Sequence, residues 1–540
     1  MKAGESDNRI PAREDSVLRY LFEKQAAARP DKIFIRLPGE DGVSYREFQA
    51  QIERAAAGLA ALGVKQGDMV ATWLPNNIDA VRLWFAINWL GAVNAPINTA
   101  YKGRLLAHVL NDCGANLLIA HGDLLPRIGD LDLTHLATVV VAGGAIPPGL
   151  DRWTVRERRD LDEHTHELPA LLQPIEPWDT QCIIYTSGTT GPSKGVITSY
   201  AHLAATGGYE GLPMIGDDDV LLSAGPLFHG SGVMPVYAML LRGSTSVLLP
   251  MFTTGSFWKD IRETGTTAAI LLGVMASFLA KEPPSERDRD HGLRTVLFVP
   301  LPDDWPEFAD RFGVTAYTCF NMSETSMPIL SKANPRAAGT CGRLRRGIEA
   351  RVVDEHDREL PAGTVGELIL RSDAPWSMNS GYLGNPAGTA KAWRNGWFHT
   401  GDAFRCDEDG NYFFVDRLKD AIRRRGENIS SYEVETEILT HPRIRECAVI
   451  GVPSENSEDD VMAVVAARDG MDLDPREIHD FLVERLAHFM VPRYIRILPG
   501  LPRTPSQKVK KETLREDGVT ADCWDRERVG IKVRRTVIQG

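Results

Sequence analysis

The sequence predicts a layered α/β protein, with a large N-terminal domain of mainly parallel sheets and a small α+β domain after it. The first observation is the length of 540 residues, because such a chain exceeds one compact core and should form two or more domains. The second is the alternation of short apolar strands with helical segments, which is typical of parallel strands joined by crossover helices. The third is a change of pattern near the C-terminal end.

The alternation starts near the N-terminus and returns in the middle of the chain. The helices of this part are predicted at 16–36, 45–62 and 80–93. Its strands are predicted at 69–75, 114–122, 220–227, 244–250, 266–273 and 295–300. The strands are short and apolar, so we expect a parallel sheet whose strands are connected through helices.

The C-terminal end is predicted to form a small unit with its own core. It has two compact strands, at 446–452 and 460–468, and a helix that starts after Asp474. Asp474 is a suitable N-cap, Pro475 fits the first helical position, and Glu477 stands where a capping box places a carboxylate. The apolar residues that follow recur at helical spacing and should form one buried face.

The boundary between the two domains is expected in the polar segment 416–420. This segment separates the strand-like residues 411–415 from the small C-terminal unit. Domain boundaries usually fall in polar connecting segments of this kind. The predicted domains are therefore 1–417 and 418–540.

The composition narrows the class of protein. The net charge is -12 and the pI is near 5.6, so a broad basic face for nucleic acid is not expected. No apolar run is long enough for a transmembrane helix, and the polar N-terminus lacks a secretory signal. The seven cysteines form no C-x-x-C pair, which is typical of reduced thiols. A cytoplasmic metabolic enzyme fits these features.

The strongest motif is YTSGTTGPSKGV at 185–196, directly after an apolar strand. Small and hydroxyl residues in a row can form a loop that presents backbone N–H groups and hydroxyls to phosphate oxygens. Lys194 can neutralise phosphate charge. The motif is not a Walker loop, because Ser193 stands where that loop requires glycine. The loop residues are Thr186, Ser187, Gly188, Thr189, Thr190 and Gly191.

This motif resembles the phosphate loop of the adenylate-forming superfamily, which includes acyl-CoA synthetases, peptide-synthetase adenylation domains and luciferases. Further family motifs follow in the same order over nearly the whole chain. They are FNMSET at 320–325, GYLGNP at 381–386, WFHTGD at 397–402, DRLKDAIRRRGENISSYEVE at 416–435 and LPRTPSQKVKK at 501–511.

The resemblance implies a role for each motif in binding and activating ATP. Glu324 resembles the carboxylate that holds Mg²⁺, a hard ion that prefers oxygen ligands. Asp402 resembles the carboxylate that binds the ribose hydroxyls, and Phe320 the aromatic residue that stacks on adenine. Lys508 resembles the lysine that stabilises negative charge during adenylation. The other implied ATP-binding positions are Thr186, Ser187, Gly188, Thr189, Thr190, Gly191, Lys194, Asn321, Met322, Ser323 and Arg417.

The resemblance also implies that the small domain rotates between two half-reactions. Lys419 resembles the hinge residue of such enzymes. One face of the small domain brings Lys508 to the acid, and the other forms a channel for coenzyme A. Gly426 and Glu427 resemble this second face, where glycine lets the pantetheine arm pass close to the backbone.

The acid is expected to bind beside His229, which matches a histidine or aromatic position at the acyl pocket of the family. The small residues Gly230, Ser231 and Gly232 follow it, and Gly273 lies in a second segment that flanks the pocket. Their size favours a bulky, apolar acid. The segment 293–313 is most similar to crotonobetaine/carnitine-CoA ligases, but no aromatic or acidic cage for a betaine cation is apparent.

Two residues depart from the family pattern. Asn321 replaces a glycine next to the Glu324 motif, and Gln507 replaces the glycine before Lys508. Glycine before Lys508 would keep that loop mobile, and Gln507 removes this backbone freedom, so adenylation could be slow or lost. The alternatives to a complete ligase are an enzyme that thioesterifies a preformed acyl-adenylate, one that loads a carrier protein, and a non-catalytic nucleotide-binding protein. Dimers are common in the family, and the sequence leaves the oligomeric state open.

Overall fold

The computed structural model describes residues 8–186, 192–417, 421–424, 427–454, 458–502 and 509–533. The α-helices are α1 Leu18–Ala28, α2 Tyr45–Ala61, α3 Ile78–Trp89, α4 Gly103–Asp112, α5 Arg159–Asp162, α6 Tyr200–Gly207, α7 Gly230–Arg242, α8 Thr254–Thr264, α9 Gly273–Ala280, α10 Trp305–Phe312, α11 Pro386–Ala392, α12 Ser431–Ile438, α13 Pro475–Val483 and α14 Lys511–Asp517. The first strands are β1 Ile33–Arg36, β2 Val43–Ser44, β3 Met69–Trp73, β4 Val93–Pro96, β5 Leu117–Ala120, β6 Thr138–Val141, β7 Thr154–Glu157, β8 Thr180–Thr186, β9 Lys194–Ser199, β10 Val220–Ser223, β11 Thr245–Leu248, β12 Ala268–Leu272, β13 Thr295–Val299 and β14 Thr315–Phe320. The remaining strands are β15 Ile329–Leu330, β16 Arg343–Leu344, β17 Ile348–Val353, β18 Gly366–Ser372, β19 Trp393–Arg394, β20 Trp397–Cys406, β21 Tyr412–Arg417, β22 Ala421–Arg424, β23 Glu427–Ser430, β24 Ile444–Pro453, β25 Asp459–Ala467, β26 Tyr494–Ile497 and β27 Trp524–Asp525.

Two large, mostly parallel sheets form the N-terminal part of the fold. One has the order β7-β6-β5-β3-β4-β8-β9, in which only β9 is antiparallel to its neighbour. The other has the order β16-β15-β14-β13-β12-β10-β11-β1-β2, with antiparallel strands only at its two ends. Buried side chains of α1, α2, α3 and α7 pack with strands of both sheets in one core cluster. This arrangement confirms the predicted α/β fold class.

Helix α2 illustrates how the sequence specifies an element of this core. Ser44 accepts a hydrogen bond from the Glu47 N–H, and the Glu47 carboxylate accepts one from the Ser44 N–H. This capping box satisfies backbone donors that would otherwise lack partners at the helix start. Phe48 and Ile52 then lie on the buried face, beside Phe22 of α1.

The C-terminal part contains smaller sheets. Strands β17, β18, β20, β19 and β21 form an antiparallel sheet, β22 and β23 form a hairpin, and β24-β25-β26-β27 form a four-stranded sheet. Helices α12 and α13 pack on this last sheet through apolar side chains. Within the described ranges, no helix is both long and apolar enough to cross a bilayer.

One sequence expectation in this part is wrong. Asp474 caps α13, but its carboxylate accepts from the Arg476 N–H, and Glu477 forms no capping box with it. The Glu477 carboxylate instead pairs with Arg443 at the start of the neighbouring strand. The Glu477 carboxylate thus forms an ion pair with Arg443 in place of the predicted hydrogen bond with the N–H of Asp474.

Candidate active site

The predicted phosphate loop connects the antiparallel strands β8 and β9. Thr186 at the end of β8 lies opposite Lys194 at the start of β9, so the two strands fix the ends of the loop. Ser187, Gly188, Thr189, Thr190 and Gly191 lie outside the described residues. Tight packing holds the start of β9 in place, because a side chain at Gly195 would collide with Ile183.

The second edge of β9 contacts the GYLGNP motif. The Ser380 N–H donates to the Ile197 carbonyl at 3.1 Å, and the Leu383 N–H donates to the Gly195 carbonyl at 2.8 Å. These bonds align Tyr382 with Lys194, whose Nζ lies 4.8 Å from the centre of the Tyr382 ring. A cation at this distance from an aromatic face is attracted by the ring quadrupole.

Tyr382 also contacts the predicted metal-binding carboxylate. Its hydroxyl donates a hydrogen bond of 3.0 Å to Oε1 of Glu324, which is 6% exposed. Burial, and after it the charge of Glu324, raises the pKa of Tyr382, so the phenol stays protonated and can donate this bond. Three separate motifs therefore meet in the contacts of Lys194, Tyr382 and Glu324.

The backbone around Glu324 is held by side chains from three other segments. Asn379 donates from both its backbone N–H and its side-chain amide to the Glu324 carbonyl, at 3.0 and 2.9 Å. His202 Nε2–H donates to the Thr325 carbonyl at 2.8 Å. Arg345 donates to the Met327 carbonyl at 2.6 Å and also to the carbonyl of the preceding residue. The loop is therefore anchored at successive carbonyl groups.

Burial keeps the histidine of this set uncharged. It lowers the pKa of His202 to about 4, so the ring is neutral at pH 7. In a neutral imidazole only one nitrogen donates, and here Nε2 must be that donor because its partner is a carbonyl. His202 thus supports the loop without adding charge to the site.

Asn321 has a specific structural role in the same loop. Its side-chain oxygen accepts hydrogen bonds from the Met327 N–H at 2.7 Å and from the Thr325 hydroxyl at 3.0 Å. Met327 has a φ of 54°, in the left-handed region that side chains other than glycine rarely adopt. The carboxamide of Asn321 and the guanidinium of Arg345 hold this residue on both sides. Glycine at 321 would leave the Met327 N–H without this acceptor.

The predicted nucleoside-binding residues lie on β14 and β20. The ring of Phe320 packs edge-on against Phe404, with centroids 4.8 Å apart. Asp402 is 2% exposed and pairs in register with Arg417, next to a β-bulge at Ala403. Bulges redirect side chains and are frequent beside active sites. The side chain of Arg417 lies outside those described.

The turn before Asp402 is fixed by Glu367. One carboxylate oxygen of Glu367 accepts from the Gly401 N–H at 3.0 Å, and the other contacts Nδ1 of His399 at 3.1 Å. The Asp402 N–H donates to the Thr400 hydroxyl at 3.1 Å. These bonds link the residues of the HTGD motif and fix the backbone on which Asp402 stands.

His229 is the N-cap of α7. Its Nδ1 accepts from the Ser231 N–H at the long distance of 3.5 Å. Burial, and secondarily the positive charge of Arg423 on β22, lowers the pKa of His229, which favours the neutral ring at pH 7. The preceding turn is held by Asn76, whose side chain accepts from the Leu227 N–H at 2.9 Å.

The glycines predicted to line the acyl pocket differ in their surroundings. A side chain added at Gly230 would meet no atom within 4 Å, so space is open there. A side chain at Gly232 would collide with the Pro226 carbonyl, and one at Gly273 would lie 2.9 Å from the Pro300 carbonyl. Close backbone packing is therefore sufficient reason for glycine at 232 and 273, and these two residues give no evidence for an acyl pocket.

The hairpin of β22 and β23 approaches this region from the C-terminal part. Its buried Arg424 pairs with Asp460 at 3.0 Å and donates to the carbonyls of Phe489 and Val491. Glu427 begins β23 and is partly buried. Lys419, Gly426, Gln507 and Lys508 lie outside the described residues.

Sequence reasoning missed the residues that assemble the site. Tyr382 was inside a quoted motif, but its contacts with Lys194 and Glu324 depend on the pairing of distant segments. His202, Arg345 and Asn379 act on carbonyl groups, for which a single sequence offers no signal. The hydrogen bond between Asn321 and Met327 could not be predicted either, because the sequence does not show that Met327 has a positive φ.

Comparisons with known proteins show the family of the chain. The family description "AMP-binding enzyme" matches residues 22–383, and "AMP-binding enzyme C-terminal domain" matches 433–508. A crotonobetaine/carnitine–CoA ligase of Escherichia coli is 33% identical, covering 92% of this chain and 98% of the relative. The amide bond synthetase McbA of Marinactinospora thermotolerans superposes with a TM-score of 0.79 at 25% identity, over 92% of this chain and 99% of McbA. The o-succinylbenzoate CoA synthetase of Bacillus subtilis, at 23% identity, shares the fold with a TM-score of 0.78, over 92% of this chain and 98% of that one.

Proposed function

The chain belongs to the AMP-binding enzyme family, and we propose that it performs both half-reactions of an acyl-CoA ligase. In the first, a carboxylate oxygen of the acid attacks the α-phosphorus of ATP, and pyrophosphate leaves. In the second, the thiol of coenzyme A loses its proton and attacks the carbonyl carbon of the acyl-adenylate, and AMP leaves. The products are acyl-CoA, AMP and pyrophosphate.

The observation that supports this function best is the meeting of Lys194, Tyr382 and Glu324. A triphosphate needs a cation and a metal-binding carboxylate close together, and these three residues supply both within one set of contacts. Glu324 fits Mg²⁺, because this ion is usually bound by one or two carboxylates together with substrate phosphates. When bound, Mg²⁺ would neutralise phosphate charge.

The nucleoside part of ATP is assigned to Phe320 and Asp402. Phe320 would stack on adenine, and the buried Asp402 would accept hydrogen bonds from the ribose hydroxyls. Arg417 would add a contact from the neighbouring strand. The other members of the proposed ATP site are Thr186, Ser187, Gly188, Thr189, Thr190, Gly191, Asn321, Met322 and Ser323.

The altered residue Asn321 supports retention of adenylation rather than its loss. Its side chain accepts two hydrogen bonds inside the loop that contains Glu324. The replacement of glycine by asparagine therefore adds contacts that stabilise this loop. A decayed site would not be expected to keep such contacts. Lys508 is proposed as the adenylation lysine, with Gln507 tolerated before it.

We propose the domains 1–417 and 418–540, with rotation about Lys419 between the half-reactions. Gly426 and Glu427 would line the channel for coenzyme A. The proposal is supported by the hairpin of β22 and β23, because the charge of its Arg423 acts on His229. His229 would then face both the acyl group and the incoming thiol.

The acid is proposed to be bulky and apolar. The open space beside Gly230 supports this, whereas Gly232 and Gly273 do not contribute because packing explains them. A quaternary ammonium acid, as the name of the Escherichia coli relative implies, would need an aromatic or acidic cage. Carnitine and crotonobetaine are therefore the control acids, and we expect them to react more slowly than bulky apolar acids.

The test is a mass-spectrometric assay in two arms over a panel that includes polycyclic, aromatic, fatty and betaine acids. One arm receives acid, ATP, Mg²⁺ and coenzyme A, and the other receives the synthetic acyl-adenylate and coenzyme A. Acyl-CoA in both arms is expected. Product only from the adenylate would favour an enzyme limited to thioester formation. Adenylate formation without acyl-CoA would favour a carrier-protein acceptor, and nucleotide binding without turnover would favour a non-catalytic protein.

A further inference from the structure

Ser193, the residue before Lys194, contacts a carboxylate that is 240 positions further along the chain. Its N–H donates to Oε1 of Glu433 at 2.9 Å, and its hydroxyl donates to the same oxygen. Ser193 is 3% exposed and Glu433 is 9% exposed. The Ser193 carbonyl accepts from Nε2 of His108 at 2.8 Å, so each polar group of this serine has a partner.

Glu433 lies in the first turn of α12, directly after the β22–β23 hairpin. Its N–H donates to the hydroxyl of Ser430, which is both the last residue of the hairpin and the N-cap of the helix. The contact with Ser193 therefore fixes one end of the hairpin against the strand that begins with Lys194. The other strand of the hairpin contains Arg423, whose charge acts on His229.

We propose that Glu433 is a positioning residue for thioester formation, which holds the β22–β23 hairpin beside the acyl site by binding Ser193. The proposal rests on the proposed function, because it assigns the contact to one of the two half-reactions. Adenylation requires the small domain in another orientation, in which Ser193 and Glu433 would separate. Loss of the contact should therefore slow thioester formation and spare adenylation.

The chemistry of the contact supports a reversible role. Glu433 contacts Ser193 through one oxygen, which accepts from two donors of that serine. Nearby, the hydrogen bond from Lys102 to the Val483 carbonyl is long at 3.4 Å, and Ala100 and Leu105 pack on the apolar core of the C-terminal part. Two hydrogen bonds converge on one buried oxygen, and removal of this acceptor leaves the Ser193 N–H buried and unsatisfied.

Four variants of the full-length chain separate this role from a general loss of structure. Glu433→Ala removes the acceptor, whereas Glu433→Gln keeps an amide oxygen that can accept both bonds from Ser193. Thr436→Ala is the matched control, because Thr436 lies on the same helix and its hydroxyl donates within that helix to the Tyr432 carbonyl. A Ser193→Ala, Glu433→Ala double variant tests whether the two residues act as one unit.

The kinetic experiment uses single turnovers with two synthetic probes, 1-naphthoyl-adenylate and decanoyl-adenylate, each with coenzyme A. Glu433→Ala should slow acyl-CoA formation by about tenfold or more, since two hydrogen bonds are lost and the Ser193 N–H is left buried without its acceptor. Glu433→Gln should stay within about threefold of wild type, because its acceptor remains. Pyrophosphate release from acid and ATP without coenzyme A should be unchanged in both. Equal losses in both half-reactions, or an unaffected thioester step, would overturn the proposal.

A ligand-free measurement covers the case in which neither probe reacts. Hydrogen exchange of the peptide that contains Ser193 should become faster in Glu433→Ala and remain at the wild-type rate in Glu433→Gln and Thr436→Ala. Unchanged exchange in Glu433→Ala would contradict the contact itself. If wild-type enzyme forms no acyl-CoA from any adenylate while exchange responds as expected, the proposed function fails and the contact stands.

Discussion

The loop at 321–327 and the contact between Ser193 and Glu433 are held by different kinds of interaction. The loop is anchored at successive carbonyls by donors from three other segments, and burial keeps the histidine among these donors, His202, neutral. The Ser193 contact depends on one carboxylate that comes from the far end of the chain. The group proposed to hold its position through the whole reaction is thus anchored by several donors, whereas the contact proposed to form and break converges on one carboxylate oxygen.

The largest effect is expected from removing the charge at the centre of the anchored loop. Glu324→Gln should lower the rate of adenylation by about a thousandfold, the scale for loss of a group that stabilises developing charge. The amide can still accept from Tyr382, so the free energy of unfolding should change little. The rate is measured by pyrophosphate release across a Mg²⁺ titration. An unchanged Mg²⁺ dependence would contradict the assignment of Glu324.

A smaller effect is expected from restoring glycine at position 321. Asn321→Gly should lower the free energy of unfolding by about 1–3 kcal/mol, because the buried Met327 N–H loses its acceptor. Adenylation should become slower and not faster. Chemical denaturation and pyrophosphate release measure the two effects. Faster adenylation in the glycine variant would mean that the asparagine is a defect rather than a support.

The smallest effect is expected in the pH dependence of the Ser193 contact. Burial raises the pKa of Glu433 to about 7, above the ordinary value for an exposed glutamate, although the bonds from Ser193 oppose the shift. The buried state therefore binds a proton more tightly than the separated state. Its advantage is complete below the ordinary pKa of 4.5 and is lost as the pH rises to about 7.

The measurement is the ratio of thioester-forming rates of wild type and Glu433→Gln between pH 5.5 and 8. The ratio should fall several-fold up to about pH 7 and then become level, as the linkage requires. Other titrating groups that face the contact are Tyr101 before α4, His108 on α4 and Glu427 on β23, and both proteins share them. A ratio that does not change with pH would exclude titration of Glu433.

The fold class could be predicted from the sequence, together with the approximate positions of several helices and buried strands. The helix expected over 16–36, however, ends at Ala28 and is followed by strand β1. Helix α2 and the strands around it follow from apolar periodicity and a local cap, which a single segment contains. The capping box at Glu477 was wrong because Arg443, which is distant in the chain, competes for its carboxylate. The spacing of residues within one segment cannot predict an ion pair with a residue that folding brings from another segment.

The candidate site likewise contains residues that motifs predict and residues that only contacts between distant segments reveal. Glu324 and Lys194 were identified from motifs, whereas Tyr382, which contacts both, depends on the pairing of β9 with residues 380–383. Gly232 was interpreted as room for the acid, but its carbonyl neighbour accounts for it. Asn321 was identified as a departure from the glycine of the family motif, and the structure reveals the hydrogen bonds that its side chain adds.

The most direct test of the central claim, a ligase with two separable half-reactions, is a rapid-quench comparison of Lys508→Ala with wild type. We expect this variant to form no acyl-adenylate from acid and ATP, because the charge proposed to stabilise the first transition state is gone. We also expect that acyl-CoA formation from synthetic acyl-adenylate stays near the wild-type rate. Equal loss of both half-reactions, or undiminished adenylation, would contradict the account.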